Sequence, residues 1–189
     1  DEFPISRLLG YWAAQLLGAF LAGLTVLWAF GPFIRKFEQS VLPSLLNPSG
    51  VRGGFGSELS ASAFGQYFPN PSIFGTGAGA QGLISPFGAM LIEAFGTAVL
   101  VMMIFSLADR RNAALSTKDL APFFIGFTVA VLVSIFAPLT QAGWNPARDF
   151  GPRLVAFFAG WDDIAIPGPR GGFWAYIVGP LIGGPLGAG

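Results

Sequence analysis

The sequence predicts an all-α membrane protein, and its composition and its apolar runs support that prediction. Hydrophobic residues make up 53% of the chain, charged residues only 11%, and the mean hydropathy is +0.63. A soluble domain carries about a quarter charged residues, so this chain has too little polar surface to cover itself in water. Several apolar runs are also long enough to cross a bilayer core as helices.

Charge balance and missing residue types narrow the functions that the chain can perform. Ten basic and ten acidic residues give zero net charge, which argues against a nucleic-acid partner, because such partners need a basic face. Without cysteine or histidine there is no disulfide, no thiolate or imidazole metal ligand and no catalysis based on either side chain. Since no suitable base accompanies a nucleophile, we predict no enzyme activity, no metal site and no cofactor.

The first predicted span covers residues 8–30, which are apolar apart from Gln15 and Thr25. Small residues recur along it at four-residue spacings: Gly18, Ala19, Ala22 and Gly23. Such spacing lets a neighbouring helix approach closely, so we interpret these positions as a packing face and not as a transport site.

Residues 31–85 are predicted to form a long loop rich in glycine and proline. A loop of this length is either functional or partly disordered. Within it, the Asn-Pro-Ser segments at 47–49 and 70–72 are predicted to be turns, because neither is followed by an apolar half-helix.

Three further spans are predicted at 86–108, 120–139 and 173–188. The second span begins with Ser85 as N-cap and Pro86 at the first helical position. Glu93 lies about two turns inside it, where a carboxylate is costly unless it is paired. As an acceptor, Glu93 is predicted to bind backbone N–H groups of the loop before Asn145; a proton relay is the alternative.

A short helix over 146–159 is the most informative element. Asn145 is a good N-cap, Pro146 suits the first helical position, and Ala147 and Arg148 follow. At roughly 20 Å such a helix crosses about half of a bilayer core, so we predict a re-entrant half-helix. Its N-terminus and Arg148 would attract a polar, uncharged guest and repel a cation. The alternatives are a plain helix cap for Asn145 and a structural salt bridge, to Asp149 or a loop carboxylate, for Arg148.

The segment before this half-helix, residues 140–144, has no helical pattern. Irregular backbone at membrane depth is tolerated only where it lines a cavity or is buried in protein. The carbonyl groups of Gln141, Ala142 and Gly143 are therefore predicted to form a row of acceptors leading to the donors of Asn145 and Arg148. A hydroxylated solute needs both kinds of partner to cross a dry pore.

These residues resemble the major intrinsic proteins, and within that family the glycerol facilitators or aquaglyceroporins. Residues 145–152, Asn-Pro-Ala-Arg-Asp-Phe-Gly-Pro, are similar to the family's second Asn-Pro-Ala motif in its glycerol-facilitator form. Further matches follow in the family's order: Phe37-Glu38-Gln39, Pro69-Asn70-Pro71, Glu93, Pro138-Leu139-Thr140 and Ala159-Gly160-Trp161. The first half of the family pattern is not found, so the chain looks like the portion from the third membrane helix onward.

The resemblance implies an aquaporin-like helical bundle, here with four transmembrane helices plus one re-entrant half-helix. It implies a passive channel for glycerol, water and other small neutral solutes that excludes ions and protons, assembled as a homotetramer in the lipid bilayer. Glu93 would shape the pore by holding the loop before Asn145, as in the family, and Asp149 and Arg153 match the glycerol-type pattern.

By family position, Val133 and Ala142 would stand with Arg148 at the narrowest point. Water-selective members tend to have a histidine at the first of these positions, and this chain has none. Two departures leave open a wider pore or one that passes other small neutral solutes: Ala142 replaces an aromatic residue usual in bacterial glycerol facilitators, and Tyr176-Ile177 stands where those have Pro-Leu, with the tyrosine nearer the water-type pattern. The alternatives are a water-selective aquaporin and a non-conducting membrane scaffold or sensor.

Basic residues predict the orientation. The short loop 109–119 holds Arg110, Arg111 and Lys118, whereas the basic residues of 31–85 are spread over a much longer segment. The positive-inside rule therefore places 109–119 and the C-terminus in the cytoplasm, and 31–85 and 140–172 toward the extracellular side of what is predicted to be the plasma membrane.

Overall fold

The computed structural model describes residues 4–40, 52–109, 111–112 and 118–189, and within them it is helical, with no β-strand. The α-helices of these residues are α1 Leu8–Ser40, α2 Glu58–Ala61, α3 Pro71–Phe74, α4 Ala78–Gln81, α5 Pro86–Ala108, α6 Ala121–Thr140, α7 Pro146–Ala156, α8 Asp162–Ala165 and α9 Ala175–Ala188. Short 3-10 helices lie at Ile5–Arg7, Lys118–Leu120 and Pro169–Gly171, and a π-helix at Phe157–Trp161. The segment 47–49, predicted as a turn, lies outside the described residues.

Three helical segments of the described chain are long and apolar enough to cross a membrane: Ile5–Ser40, Pro86–Ala108 and Ala121–Thr140. The fourth predicted span, 173–188, forms α9, whose 14 residues make a helix of about 21 Å. That is shorter than a bilayer core of about 30 Å. The all-α membrane class is thus confirmed, with three full-length candidate spans where the sequence predicted four.

Helix α1 runs past its predicted end at residue 30, through Pro32, to Ser40. The extension is anchored by Glu38, which is buried and accepts hydrogen bonds from the Arg52 guanidinium at 2.9–3.2 Å. Arg52 also donates to Ala159 O at 3.1 Å and lies 3.9 Å from the centre of the Trp161 ring. The prediction that the loop begins at residue 31 is therefore wrong. The ion pair between Glu38 and Arg52 holds residues 31–40 as a continuation of the helix.

Loop residues 52–85 are folded onto the helices through three single-turn helices, α2 to α4. Asn70 caps α3, because its Oδ1 accepts from Ser72 N at 3.0 Å. Its backbone N–H and its Nδ2 donate to Pro138 O and Ala137 O at the end of α6. The Asn-Pro-Ser segment at 70–72 thus opens a helix of only four residues, and no half-helix follows it.

Glycines on two helices allow close packing. A Cβ on Gly179 of α9 would lie 2.7 Å from Met90 O of α5, and a Cβ on Gly183 or Gly187 would lie closer still to the carbonyl oxygens of Ala94 and Ala98. On α1, a Cβ at Gly23 would lie 2.8 Å from Pro152 of α7. Gly18 differs from the predicted packing face, since no atom lies within 4 Å of a Cβ built there.

Loop residue Glu58 supplies a pH-dependent contribution to stability. It is 4% exposed, and burial raises the pKa of its carboxyl above the ordinary 4.5, against hydrogen bonds from the Glu58 and Gly56 backbone. Because the folded state holds this proton more tightly, the contribution is present below about pH 4.5 and is lost as pH rises through the raised pKa.

We therefore expect Glu58→Gln to flatten the pH dependence of thermal unfolding. The parent protein in detergent should gain stability relative to the variant as pH falls from neutral toward 5. Tryptophan fluorescence melts at several pH values measure the difference. A constant gap between the two proteins at all pH values would contradict the expectation.

Candidate functional site

Asn145 begins α7 as predicted. Its backbone is extended, with φ −146° and ψ 110°, and its Oδ1 accepts from Ala147 N at 3.0 Å and Arg148 N at 3.2 Å. Pro146 occupies the first helical position, where the missing N–H costs nothing. Because the oxygen is used for capping, the Asn145 Nδ2 group is left as a donor at the exposed helix N-terminus, and it has no protein partner among the described residues.

Arg148 is exposed on the next turn of α7, and its guanidinium pairs with no carboxylate of the described residues. The alternative of a salt bridge to Asp149 is wrong, because Asp149 pairs with Arg153 at 2.7 Å. The α7 N-terminus therefore presents two positively polarised donor groups, one amide and one full charge, on a surface that no described acceptor covers.

Residues 141–144 have a backbone that needs external support. Gln141, Ala142 and Trp144 have φ values of 59°, 56° and 46°, which are uncommon for residues other than glycine. Glu93, buried in α5, accepts from Gly143 N at 3.1 Å and Trp144 N at 2.6 Å, as the sequence predicted. Gln141 Oε1 accepts from Tyr67 N at 2.7 Å, so the loop is held from both sides.

The sequence predicted that the backbone oxygens of residues 141–143 form a row of acceptors. Within the described residues, the carbonyls of Gln141, Ala142 and Gly143 accept no hydrogen bond. Gly143 is required at its position, because a Cβ there would lie 2.8 Å from the Tyr176 ring and 2.9 Å from Glu93 Oε2. Unpaired acceptors thus precede the unpaired donors of Asn145 and Arg148 along the chain.

Asp149 and Arg153, both on α7, form a buried ion pair. They are 0% and 1% exposed, and Arg153 Nε and Nη2 bind the Asp149 carboxylate at 2.7 and 2.8 Å. Asp149 Oδ1 also accepts from Gln66 N at 2.8 Å, and Arg153 donates to Gln66 O and Ala165 O. The pair therefore fixes α7 to the loop at Gln66 and to the end of α8 at Ala165, which is a supporting role.

Val133 and Ala142, the predicted neighbours of Arg148, are placed differently from each other. Val133 on α6 is 39% exposed, whereas Ala142 is 7% exposed in an apolar cluster with Leu132 and Trp144. The left-handed backbone at Ala142 accompanies this burial. Ala142 thus contributes little side-chain surface, and Val133 is the accessible member of the predicted pair.

A cavity of ≈280 Å³ opens in front of the α7 N-terminus. Its walls are apolar apart from two amide side chains; the lining residues are Trp12, Gln15, Leu16, Asn145, Pro146, Ala147, Phe150, Ile177 and Leu181. Mostly apolar walls with a few convergent polar groups are typical of sites for small organic molecules. The cavity lies between α1, α7 and α9, beside the Asn-Pro-Ala segment.

The family model described as "MIP: Major intrinsic protein" matches residues 1–189. The chain belongs to the major intrinsic protein family. The prediction made from the Asn-Pro-Ala segment and its companion motifs is thereby confirmed. That match does not bear out the expectation that the first half of the family pattern is missing.

Three curated relatives of this major intrinsic protein are named as uptake facilitators for glycerol or propanediol. The glycerol uptake facilitator protein of Pseudomonas aeruginosa is 38% identical over 181 residues, covering 95% of this chain and 58% of the relative. The propanediol uptake facilitator PduF of Citrobacter freundii is 36% identical, covering 98% of this chain and 62% of the relative. The glycerol uptake facilitator protein of Escherichia coli K12 is 32% identical, covering 98% and 60%. The chain thus spans about three fifths of the length of these major intrinsic proteins.

Sequence reasoning missed several supporting residues of this major intrinsic protein. Backbone groups of Gln66 and Tyr67 hold Asp149 and Gln141, yet backbone donors leave no trace in the sequence. Gly96 was also missed, although a single glycine inside an apolar span is a signal of close approach. A Cβ on Gly96 would overlap the Trp144 indole, whose ring packs edge-on to Phe136.

We expect Gly96→Ala to destabilise this major intrinsic protein by about 1–3 kcal/mol, because the added methyl group forces the Trp144 indole out of its site. Gly126→Ala on α6 is the matched control, since no atom lies within 4 Å of a Cβ built there. Thermal melts of both variants in detergent measure the effect. Equal melting temperatures for the two would show that the contact at Gly96 does not restrain Trp144.

Proposed function

We propose that the protein forms a passive transmembrane channel for glycerol and other small neutral solutes, with water also passing and with ions and protons excluded. The solute would pass the carbonyls of 141–143 and then the donors of Asn145 and Arg148. Hydrogen bonds with both groups would replace part of the solute's hydration, which is otherwise forfeited in a dry pore.

One observation carries this proposal: Asn145 Nδ2 and the Arg148 guanidinium are exposed and unpaired within the described residues, at the N-terminus of a short helix beside an apolar cavity. Unpaired polar groups inside a membrane cost free energy. Donors without a protein partner are therefore consistent with a site where a passing solute forms the missing hydrogen bonds. An ordinary helix cap would explain the Asn145 Oδ1 contacts but not the free guanidinium one turn later.

The preference for glycerol over water alone rests on the shape and polarity of the wall. Val133 offers an accessible apolar face, and the chain has no histidine to narrow the constriction. The cavity before Asn145 is likewise apolar except for its amides, which suits a carbon backbone on one side and hydroxyl groups on the other. The names of the relatives, glycerol and propanediol uptake facilitators, support the same solute class.

Stopped-flow shrinkage and re-swelling of proteoliposomes containing the complete protein would test the proposal. Glycerol should equilibrate much faster than in protein-free vesicles of the same lipid, and water should also pass. Fast water flux without glycerol flux would favour the water-selective alternative. The absence of both, with the protein folded and inserted, would favour a non-conducting scaffold or sensor.

We further propose a homotetramer in the plasma membrane, with 109–119 and the C-terminus cytoplasmic and with 31–85 and 140–172 extracellular. The chain contains no cysteine, so single cysteines at exposed positions can report sidedness without background. A membrane-impermeant maleimide added outside intact cells should label Ser72→Cys but not Asp119→Cys. The reverse pattern would invert the topology, and native mass spectrometry would measure the number of subunits.

A further inference from the structure

Two small cavities flank the loop segment Tyr67–Phe68, outside the surface assigned to transport. The Glu58 cavity is lined by Glu58, Tyr67, Phe68, Pro69, Pro71, Gly75, Thr76, Gln81 and Pro169. The Tyr176 cavity is lined by Gln66, Tyr67, Phe68, Arg153, Gly168, Pro169, Gly172, Phe173 and Tyr176. Each leaves ≈20 Å³ for the centre of a water-sized sphere. About 10–15 Å³ on that measure is enough for one water molecule.

Buried polar atoms without partners occur at both cavities. Among the residues that line the Glu58 cavity, these atoms are Glu58 Oε2 and Thr76 Oγ1; among those that line the Tyr176 cavity, they are Gln66 Oε1 and the Tyr176 hydroxyl. All four residues are at most 4% exposed. Buried polar atoms normally form a hydrogen bond with the protein or with water, because a buried polar atom without a partner costs free energy. Orphaned atoms and water-sized spaces therefore coincide at two places.

A protein contact does not satisfy these atoms, and an ion fits them poorly. Within the described residues, Glu58 has no ion-pair partner, and no cluster of three or more acidic side chains exists that would hold a metal. Hard cations take six or more oxygen ligands, which a cavity of this size with one carboxylate does not supply. A water molecule needs only two to four polar partners and can donate to one atom while accepting from another.

We propose that each cavity binds one ordered water molecule, the first joining Glu58 to Thr76 and the second joining Gln66 to Tyr176. These are structural sites, separate from the transported water. The loop between them supplies the Gln66 and Tyr67 N–H groups that hold Asp149 and Gln141. The two waters therefore stabilise the loop that holds Asp149 and Gln141, whether or not the proposed transport takes place.

Structures of the complete protein, at a resolution that shows ordered water, provide the test. The parent protein should show one density peak in each cavity. Thr76→Val keeps the shape but removes the hydroxyl, so the Glu58 cavity should lose its peak while the Tyr176 cavity keeps its own. Thr76→Ser should retain both peaks and melt at a higher temperature than Thr76→Val. Tyr176→Phe should empty only the Tyr176 cavity.

The parent structure alone can overturn the proposal, even if a variant fails to fold. Empty cavities in the parent would do so. A direct hydrogen bond between Glu58 and Thr76, or an ion in place of the water, would do the same. Retention of the Glu58-cavity peak at full height in Thr76→Val would contradict the assigned partner.

Discussion

Replacing Arg148 with alanine should let cations and protons leak through the protein while neutral solutes still pass. The guanidinium is exposed and unpaired at the N-terminus of α7, where the helix adds about half a positive charge. Two unit charges about 6 Å apart repel by about 3 kcal/mol at an effective dielectric constant of about 20. Since about 1.4 kcal/mol is a factor of ten, the leak should rise about a hundredfold.

Proteoliposomes loaded with a pH-sensitive dye would measure the proton leak, and stopped-flow light scattering would measure glycerol and water in the same preparation. Arg111→Ala is the control, because Arg111 forms an exposed ion pair with Asp109 and such pairs contribute little. If Arg148→Ala vesicles remain as tight to protons as the parent, the exclusion of ions lies in other residues and the role given to Arg148 is wrong.

Arg148→Lys separates charge from geometry. Lysine keeps the positive charge but lacks the planar guanidinium with its fixed set of donors. Ion exclusion should therefore persist, while glycerol flux falls because fewer aligned hydrogen bonds reach its hydroxyl groups. A lysine variant that leaks like the alanine variant would show that the shape of the guanidinium, and not its charge, excludes ions.

Local signals in the sequence were sufficient for the elements that local chemistry controls. Asn145 followed by Pro146 predicted the start of α7, and Ser85 followed by Pro86 predicted the start of α5, because N-cap and first-turn preferences depend only on neighbouring residues. The partners of Glu93 lie 50 and 51 positions away and were predicted from two signals together: a carboxylate inside an apolar span must find donors, and the resemblance to the major intrinsic proteins indicated the loop before Asn145.

Features that depend on distant contacts were not predictable. The extension of α1 rests on Glu38 and Arg52, and nothing near Pro32 indicates that the helix continues. The backbone N–H of Gln66 meets Asp149 across 83 positions, and any residue type can supply such a donor. The left-handed backbone and the burial of Ala142 were not predicted either, because non-glycine residues rarely adopt that conformation without outside support.

Glu93→Leu should remove most of the solute flux and strongly destabilise the protein. Glu93 is 0% exposed and accepts from two backbone N–H groups, Gly143 N and Trp144 N. Leucine leaves both donors buried without a partner, at about 1–3 kcal/mol each. It also frees a loop whose left-handed residues, at about 1–3 kcal/mol each, persist only when held by their surroundings. The two unpaired donors give an expected loss of stability of about 2–6 kcal/mol, and the carbonyls of 141–143 would lose their fixed positions.

The stability and the glycerol flux of Glu93→Gln should lie between those of the parent and those of Glu93→Leu. The glutamine amide keeps one acceptor oxygen but turns an NH₂ group toward a backbone donor. Thr97→Val is the matched control: Thr97 is one turn along on α5 and is also buried, at 5% exposed, yet its hydroxyl donates to Glu93 O of the same helix. Thermal melts and glycerol flux per folded protein should rank parent and Thr97→Val above Glu93→Gln, and Glu93→Gln above Glu93→Leu. Normal flux in Glu93→Leu would mean that Gln141 and Tyr67 hold the loop without the carboxylate, and that Glu93 serves packing alone.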